Sequence, residues 1–280
     1  MIKKVIAFVG GVGLLLSLFV APAMAEGRQY LEIGLGYSKF DYSEAIDGRP
    51  DIKESGWVPG VVLGYTYKGE DNPVFASFSI RYTTGATDYT GTLQDGTPWK
   101  DTTDNTFLSL EVKFGYIMGR DAASRWTITP YAGIGYHDWE RKLAGPSPYI
   151  EEYTWFYFPI GVRLDYEVSP EFSIGLDLSA RVMFNGSMNV KFSTLGYSSP
   201  TLDLGNRIGF RAELPMDYRF HPQISLGLTP WYQYSSIGRS GSEPVTAVSP
   251  SNTTYTVQTI YEPNSTTHQY GVDLTVRFWF

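Results

Sequence analysis

Three histidines and a scatter of carboxylates are the side chains with the clearest capacity for acid–base chemistry. His137 stands out among them, because Asp138 follows it directly and Asp88 lies in an earlier polar segment that could approach it. An imidazole beside a carboxylate can act as a general base that activates water. His221 and His268 are far from this region along the chain. We therefore treat Asp88 and His137 as a weak catalytic pair, and favour the alternative that His137 is a rim residue without chemistry.

Other kinds of reaction find no residues to support them. The sequence contains no cysteine, which excludes disulfides, thiol catalysis and thiolate metal sites. Its three histidines lack metal-ligand spacing, and no serine sits in a recognisable nucleophile elbow. We expect no cofactor and no metal. The formal net charge of -7 also argues against a nucleic-acid partner, which would require a basic surface.

The elements that would position these residues are β-strands, and the stretch His268–Phe280 shows their pattern best. Its side chains alternate strictly between an apolar face and a polar face. The apolar face holds Tyr270, Val272, Leu274, Val276, Phe278 and Phe280, and the polar face holds Gly271, Asp273, Thr275 and Arg277. This period of two, with charges on one side only, is typical of a strand between lipid and a polar interior. The aromatic last residue also resembles the closing strand of bacterial outer-membrane barrels.

The same alternation predicts ten strands in all. We place them at Tyr30–Tyr42, Gly56–Lys68, Val74–Thr87, Thr106–Met118, Trp126–Arg141, Tyr153–Glu167, Phe172–Asn185, Arg207–Phe220, Gln223–Ile237 and His268–Phe280. Short and long connectors alternate between them, and the long ones are Ser43–Ser55, Gly91–Asn105, Leu143–Glu152, Gly186–Asn206 and Gly238–Thr267. The sequence therefore predicts an all-β fold, a transmembrane antiparallel up-and-down β-barrel with short periplasmic turns and long outer loops.

Aromatic residues near strand ends favour a membrane barrel over the soluble alternative, a lipocalin-like barrel that would bury its apolar face. We assign to the interfacial girdles Trp155, Tyr157, Tyr166, Tyr218, Tyr232, Tyr234, Phe278 and Phe280. Met1–Ala25 is interpreted as a cleaved secretory signal peptide, because a basic start precedes an apolar run and a small-x-small site. An uncleaved anchor is the alternative. Residues 26–280 then form one barrel domain in the outer membrane of a Gram-negative bacterium.

Charged residues on the inward face form two balanced sets. Those predicted to make a lumen charge network are Glu32, Arg81, Glu111, Lys113, Arg163, Asp165, Asp177, Arg181, Arg211, Glu213, Asp273 and Arg277. A ten-stranded barrel is narrow compared with the 16–18 strands of porins. Opposite charges in a narrow lumen are expected to pair, because isolated buried charge is costly. The pattern predicts a largely plugged interior; the alternative is that several of these charges sit unpaired at the wet rims.

Ten strands with alternating turn lengths resemble the omptin-like barrels of Gram-negative outer membranes. The similarity is greatest in NTFLSLEVKFGYIM, YAGIGYHDWERKL, FPIGVRLDYEVSPEFSIGLDLSA and ISLGLTPWYQY. The resemblance implies a protease that holds water between an aspartate pair in the second long loop and an Asp-x-His couple in the fourth. This chain departs from that pattern. Its second loop offers only the single aspartates Asp88, Asp95, Asp101 and Asp104, and the fourth loop region has Asp203 but no histidine.

The sequence thus favours a non-enzymatic barrel with a structural or surface-interaction role. Its outer loops are the expected binding surface, above all the Ser/Thr/Pro-rich loop Gly238–Thr267. The alternatives are a divergent omptin-type endopeptidase and a small-solute pore. Expected partners are outer-membrane lipid, lipopolysaccharide and, through the C-terminal strand, the barrel-assembly machinery.

Overall fold

The computed structural model describes residues 27–46, 51–69, 72–92, 97–119, 124–144, 148–192 and 195–280. The signal peptide predicted at Met1–Ala25 lies outside these residues. Within the described part of the chain, no helix has both the length and the apolar character needed to cross a membrane.

Nearly all the regular structure is β-strand. The strands are β1 Gly27–Ala45, β2 Ile52–Gly69, β3 Val74–Thr92, β4 Pro98–Tyr116, β5 Trp126–Leu143, β6 Tyr149–Glu167, β7 Phe172–Lys191, β8 Thr201–Asp203, β9 Ile208–Glu213, β10 Met216–His221, β11 Ile224–Ile237, β12 Glu243–Val248, β13 Thr254–Ile260 and β14 Asn264–Trp279.

The wall of the barrel is a closed antiparallel sheet. Strands β1 to β7 pair in sequence, and β14 closes the ring by pairing with both β1 and β11. Strands β9 and β10 share one position between β7 and β11, so the wall has ten positions. They are separated at Leu214 and Pro215, where proline has no N–H for the ladder. The predicted ten-stranded all-β barrel is confirmed, with β8 and the hairpin β12–β13 added beyond the wall.

An apolar band surrounds the barrel where the alternation predicted it. On β1, for example, Leu31, Ile33 and Leu35 are 50%, 54% and 69% exposed. Tyr37 stacks on Trp57 near the long-loop edge of this band. We take the band between such aromatic residues as the membrane-spanning part.

Two of the predicted girdle aromatics lie elsewhere. Tyr157 is 3% exposed and points into the lumen, where its hydroxyl donates to Glu111. Trp155 packs inside the barrel, with its ring 4.3 Å from that of His137. These two predictions were wrong because Trp155 and Tyr157 occupy the inward register of β6, where long polar-tipped rings fill the lumen.

The strands extend well beyond the predicted ends on the long-loop side. Glu44 pairs with Ile52, and Thr92 pairs with Pro98, so most of the loops predicted at Ser43–Ser55 and Gly91–Asn105 are strand. The loop predicted at Gly238–Thr267 contains the hairpin β12–β13. The sequence rule failed here because it sought an apolar outer face, whereas a ladder above the membrane only needs paired backbone groups.

The interior changes character along the barrel axis. On the long-loop side, much of the inward face is apolar, and its apolar side chains form one cluster, here called the mouth core. Its members are Phe40, Tyr42, Val58, Phe107, Trp139, Tyr153, Met183, Met188, Val190, Phe192, Leu202, Leu204, Ile237 and Val245. Leu202 from β8 and Val245 from β12 are both fully buried in it. The hairpin and β8 therefore pack into this end of the barrel.

Candidate functional site

The lumen beneath the mouth core holds the predicted charged residues in paired groups. Near the short-turn end, Arg277 donates to Glu32 at 3.0 Å and lies 3.3 Å from Asp217. On a neighbouring level, Arg81 makes a two-pronged contact with Asp273. Both cations lie over aromatic rings, those of Tyr30 and Trp231 respectively.

A second group occupies the middle of the lumen. Glu111 accepts from Arg181 at 2.8 Å and is 3.0 Å from Lys113. The ammonium of Lys113 also lies 3.7 Å from Asp177, whose carboxylate receives the hydroxyl of Tyr131. Each carboxylate here has at least one cation partner, as the cost of buried charge requires.

The remaining predicted residues pair across shorter spans. Arg163 pairs with Asp165, which also receives Lys68 at 3.0 Å. Arg211 donates to Glu213 at 2.6 Å. The structure thus gives every residue of the predicted network an ionic partner from the same face. The sequence did not predict the contacts made through neutral side chains, such as Gln233, which accepts hydrogen bonds from Arg181 and Arg211. Alternation shows which face of the sheet a side chain lies on, but not its height along the barrel axis.

These side chains leave little open space. The cavity among them has a volume of about 130 Å³; it is lined by the charged groups and reaches Phe107 of the mouth core. A wider cavity of about 600 Å³ occupies the short-turn end and is lined by polar residues such as Arg125 and Glu171. The barrel interior is therefore widest at the short-turn end, and side chains fill most of its middle and its outer end.

The weak catalytic pair is not brought together. Asp88 is exposed on the outer surface of β3, next to Thr87, which is buried on the inner side. His137 is 7% exposed inside the barrel, with its Nδ1 2.7 Å from the hydroxyl of Ser109. The two residues face opposite sides of the wall. Among the described residues, no group of three or more His, Cys, Asp or Glu could hold a metal ion.

One charged group lies above the membrane band and was not predicted. Arg141 is 2% exposed, and its guanidinium contacts Glu44 at 3.0 Å, Glu54 at 2.6 Å and Glu151 at 2.7 Å. Glu54 and Glu151 fall within the predicted outer loops Ser43–Ser55 and Leu143–Glu152, and the loop assignment was wrong for both residues. Both are buried because β2 and β6 continue above the membrane with these residues in the inward register.

A fourth carboxyl, Glu262, completes what we call the mouth carboxyl cluster. It lies between β13 and β14, is 3% exposed, and receives the hydroxyls of Tyr42 at 3.3 Å and Tyr153 at 3.2 Å. Burial, and then the negative charges of Glu44 and Glu151, raise the pKa of Glu262 well above its usual value. The only signal in the sequence was the period-two alternation that runs on through Tyr42 and Glu44.

The family model for the outer membrane protein beta-barrel domain matches residues 12–278. The chain belongs to this family. It is therefore an outer-membrane β-barrel protein, and its apolar band is the surface that meets lipid. A comparison with curated proteins gave no match.

Solved structures of outer-membrane barrels align with this chain. The outer membrane protease OmpT from Escherichia coli aligns with a TM-score of 0.55 and 9% identity, over 90% of this chain and 97% of that one. The outer membrane protein OprG from Pseudomonas aeruginosa aligns with a TM-score of 0.40 and 14% identity, over 91% and 96%. The omptin-like architecture is confirmed, and at such identities the likeness to OmpT concerns the fold alone.

Proposed function

We propose that this protein is a closed outer-membrane barrel without enzymatic activity, and that it acts through the surface of its outer end. The observation that carries the proposal is the mouth core. Trp139 and Tyr153 are 2% and 0% exposed at the end of the barrel where a solute would enter. A packed aromatic core at that point excludes water, and the paired charges below it block the lumen again.

The closed mouth argues against both alternative functions. A small-solute pore needs a continuous wet path, and here an apolar layer lies above a paired ionic layer. A peptidase of the omptin type needs a water activated in an open groove between loops. The two residues weighed for that role, Asp88 and His137, face opposite sides of the wall.

The hairpin β12–β13 supports a surface-interaction role. It exposes Val248 by 63% on one of its faces, and it exposes Tyr255 and Val257 of β13 by 52% and 43%. These residues lie outside the membrane wall, because the hairpin forms a separate two-stranded sheet. Exposed apolar side chains that lie close together on a solvated element, as Tyr255 and Val257 do on β13, are typical of binding surfaces. We propose that this hairpin is the principal contact surface of the protein.

Planar-bilayer recording tests the closed barrel. We expect the purified full-length protein to insert without discrete conductance steps. A control variant, Trp139→Gly with Tyr153→Gly, removes two of the largest side chains of the mouth core and is compared at the same protein-to-lipid ratio. Steady conductance steps from the unaltered protein would overturn the proposal. Cleavage of a dibasic peptide library by the lipid-reconstituted protein would favour the peptidase instead.

Cell-surface display tests the hairpin. We expect cells that display Tyr255→Ser with Val257→Ser to bind less well to immobilised extracellular proteins than cells with the unaltered chain. Glu243→Gln, on the same hairpin and also exposed, is the matched control. Equal binding by all three across the panel would remove the surface-interaction role.

The setting of the protein is proposed on the same basis. We place it in a Gram-negative outer membrane after removal of residues 1–25, with lipid and lipopolysaccharide against the apolar band. The barrel-assembly machinery would recognise the strand that ends at Phe280. Amino-terminal sequencing of protein from purified outer membranes tests the first point, and a start at Met1 would contradict it.

A further inference from the structure

We propose that Glu262 is a proton-dependent latch that holds the hairpin β12–β13 on the mouth of the barrel. This residue lies on the return arm of the hairpin, residues 261–263, immediately before β14 begins. When the carboxyl carries a proton the arm is docked, and when the proton leaves the arm is released. This latch controls the position of the hairpin, whatever the hairpin binds.

Glu262 has no ion-pair partner among the described residues. Arg141 makes its ion pairs with Glu44, Glu54 and Glu151. Within the described chain, the side chain of Glu262 receives only tyrosine hydroxyls. A buried carboxylate without a cation is strongly disfavoured, and such a group takes up a proton instead.

The two tyrosine hydroxyls beside Glu262 have too few protons for the carboxylate oxygens that they contact. The hydroxyl of Tyr42 lies 2.8 Å from Glu44 and 3.3 Å from Glu262, and it has one proton to donate. The hydroxyl of Tyr153 lies 3.1 Å from Glu151 and 3.2 Å from Glu262, again with one proton. Two protons cannot satisfy four contacts to ionised carboxylates. A proton on Glu262 lets this residue donate to one tyrosine oxygen and turns a repulsive contact into a hydrogen bond.

The surrounding strands bring further titratable and charged groups to the mouth carboxyl cluster around Glu262. The groups are Tyr42 and Glu44 on β1, Glu54 on β2, Tyr89 on β3, Arg141 on β5, and Tyr149, Glu151 and Tyr153 on β6. Three of them are carboxyls and one is a guanidinium. An ionised Glu262 would add a further negative charge to a buried group that already has too few cations. The cluster therefore favours release of the arm over ionisation in place.

The latch is coupled to the hairpin through the backbone. The amide of Glu262 donates to the hydroxyl of Ser240 at 2.8 Å, and the amide of Ser240 donates to the carbonyl of Glu262 at 3.0 Å. These bonds join the two stems of the hairpin. Val245 on β12 is fully buried in the mouth core. Release of Glu262 thus loosens the two stems of the hairpin and, with them, the packing of Val245 in the mouth core.

The pH dependence follows from linkage. The docked carboxyl has a higher pKa than the free one, so the docked form binds the proton more tightly. Docking is strongest below the pKa of a free glutamate, about 4.3. Above that value, the ratio of docked to released arm falls about tenfold per pH unit, until the pKa of the docked carboxyl is reached.

Amide hydrogen exchange of the full-length protein in lipid measures this ratio even when release is rare. The readout is the protection of residues 260–264, corrected for the intrinsic pH dependence of exchange. We expect it to fall about tenfold per pH unit above about pH 5. In Glu262→Gln, which keeps the shape and removes the titration, we expect protection without this slope. Residues 272–276 of β14 are the internal reference.

Glu243→Gln is the matched control, because Glu243 is exposed at the start of the same hairpin. We expect it to keep the slope of the unaltered chain. A flat protection profile for the unaltered protein between about pH 5 and pH 9 would overturn the latch. The same slope in Glu262→Gln, or its loss in Glu243→Gln, would assign the pH dependence to another group.

Discussion

Replacing Arg277 by glutamine should destabilise the barrel far more than a neutralisation at the surface. The side chain of Arg277 is 8% exposed, and it serves both Glu32 at 3.0 Å and Asp217 at 3.3 Å. Its guanidinium also lies over the ring of Tyr30, 5.1 Å from the centroid. The variant Arg277→Gln leaves two carboxylates in the lumen without this cation.

The magnitude follows from the burial of those partners. The side chains of Glu32 and Asp217 are 17% and 11% exposed, so water restores little of the lost solvation. Removal of one partner from a buried ion pair costs about 3–5 kcal/mol. The measured loss should lie toward the lower end, about 3 kcal/mol, because glutamine can still donate one hydrogen bond and because Glu32 retains some contact with water.

Equilibrium unfolding by urea in lipid vesicles is the assay, with the free energy of unfolding as the readout. Glu243→Gln is the control, and we expect it to stay within about 0.5 kcal/mol of the unaltered protein. Adding Glu32→Gln and Asp217→Asn to Arg277→Gln should recover part of the loss, because the stranded charges are gone. Equal stability of Arg277→Gln and Glu243→Gln would refute the assignment of Arg277 to a buried ionic group. Full additivity in the triple variant would refute the coupling.

Two further outcomes can be measured in the same assay. Trp139→Ala should lower the free energy of unfolding by about 3–5 kcal/mol. The ring of Trp139 stacks on that of Tyr153 at 4.5 Å, and its indole N–H donates to Asn105 at 2.6 Å. A loss below about 1 kcal/mol would contradict a packed mouth core. Gly135→Ala should lower the free energy of unfolding by about 1–3 kcal/mol, because a Cβ there would lie 2.1 Å from the Tyr157 ring. Gly241→Ala should have no effect, because a Cβ there would meet nothing within 4 Å. Equal losses for the two variants would contradict the lumen packing.

The membrane part of the fold could be predicted from the sequence because one rule governs it. Lipid requires an apolar outer face, so alternation such as that of Leu31, Ile33 and Leu35 gives both the strand and its register. The same rule gave the inward side of Arg81 and Asp273. It could not give their contact, because the level at which side chains meet depends on the stagger of the closed sheet.

Above the membrane the rule no longer holds, and prediction failed there. The outer end of β7, within the predicted loop Gly186–Asn206, was interpreted as loop because its outer face is polar. Its inner face carries the true signal, since Met188 and Val190 are buried in the mouth core. Read as a strand of a water-soluble barrel, apolar inside and polar outside, this segment would have been recognisable. A strand that is apolar outside within the membrane and apolar inside above it has no single apolar face, so a search for such a face misses its outer part.

The change from lipid to water outside the wall also explains why the least balanced charges of the described chain lie at the mouth. Within the membrane band each lumen carboxylate has a cation, as Asp273 has Arg81, because lipid on the far side of the wall leaves no other source of compensation. Above the band, water surrounds the outside of the wall and the arm that carries Glu262 can move away from it. A carboxyl there can be buried with a proton and released as an anion. An excess of acid is therefore tolerated only where an element can undock, which is the position that Glu262 occupies.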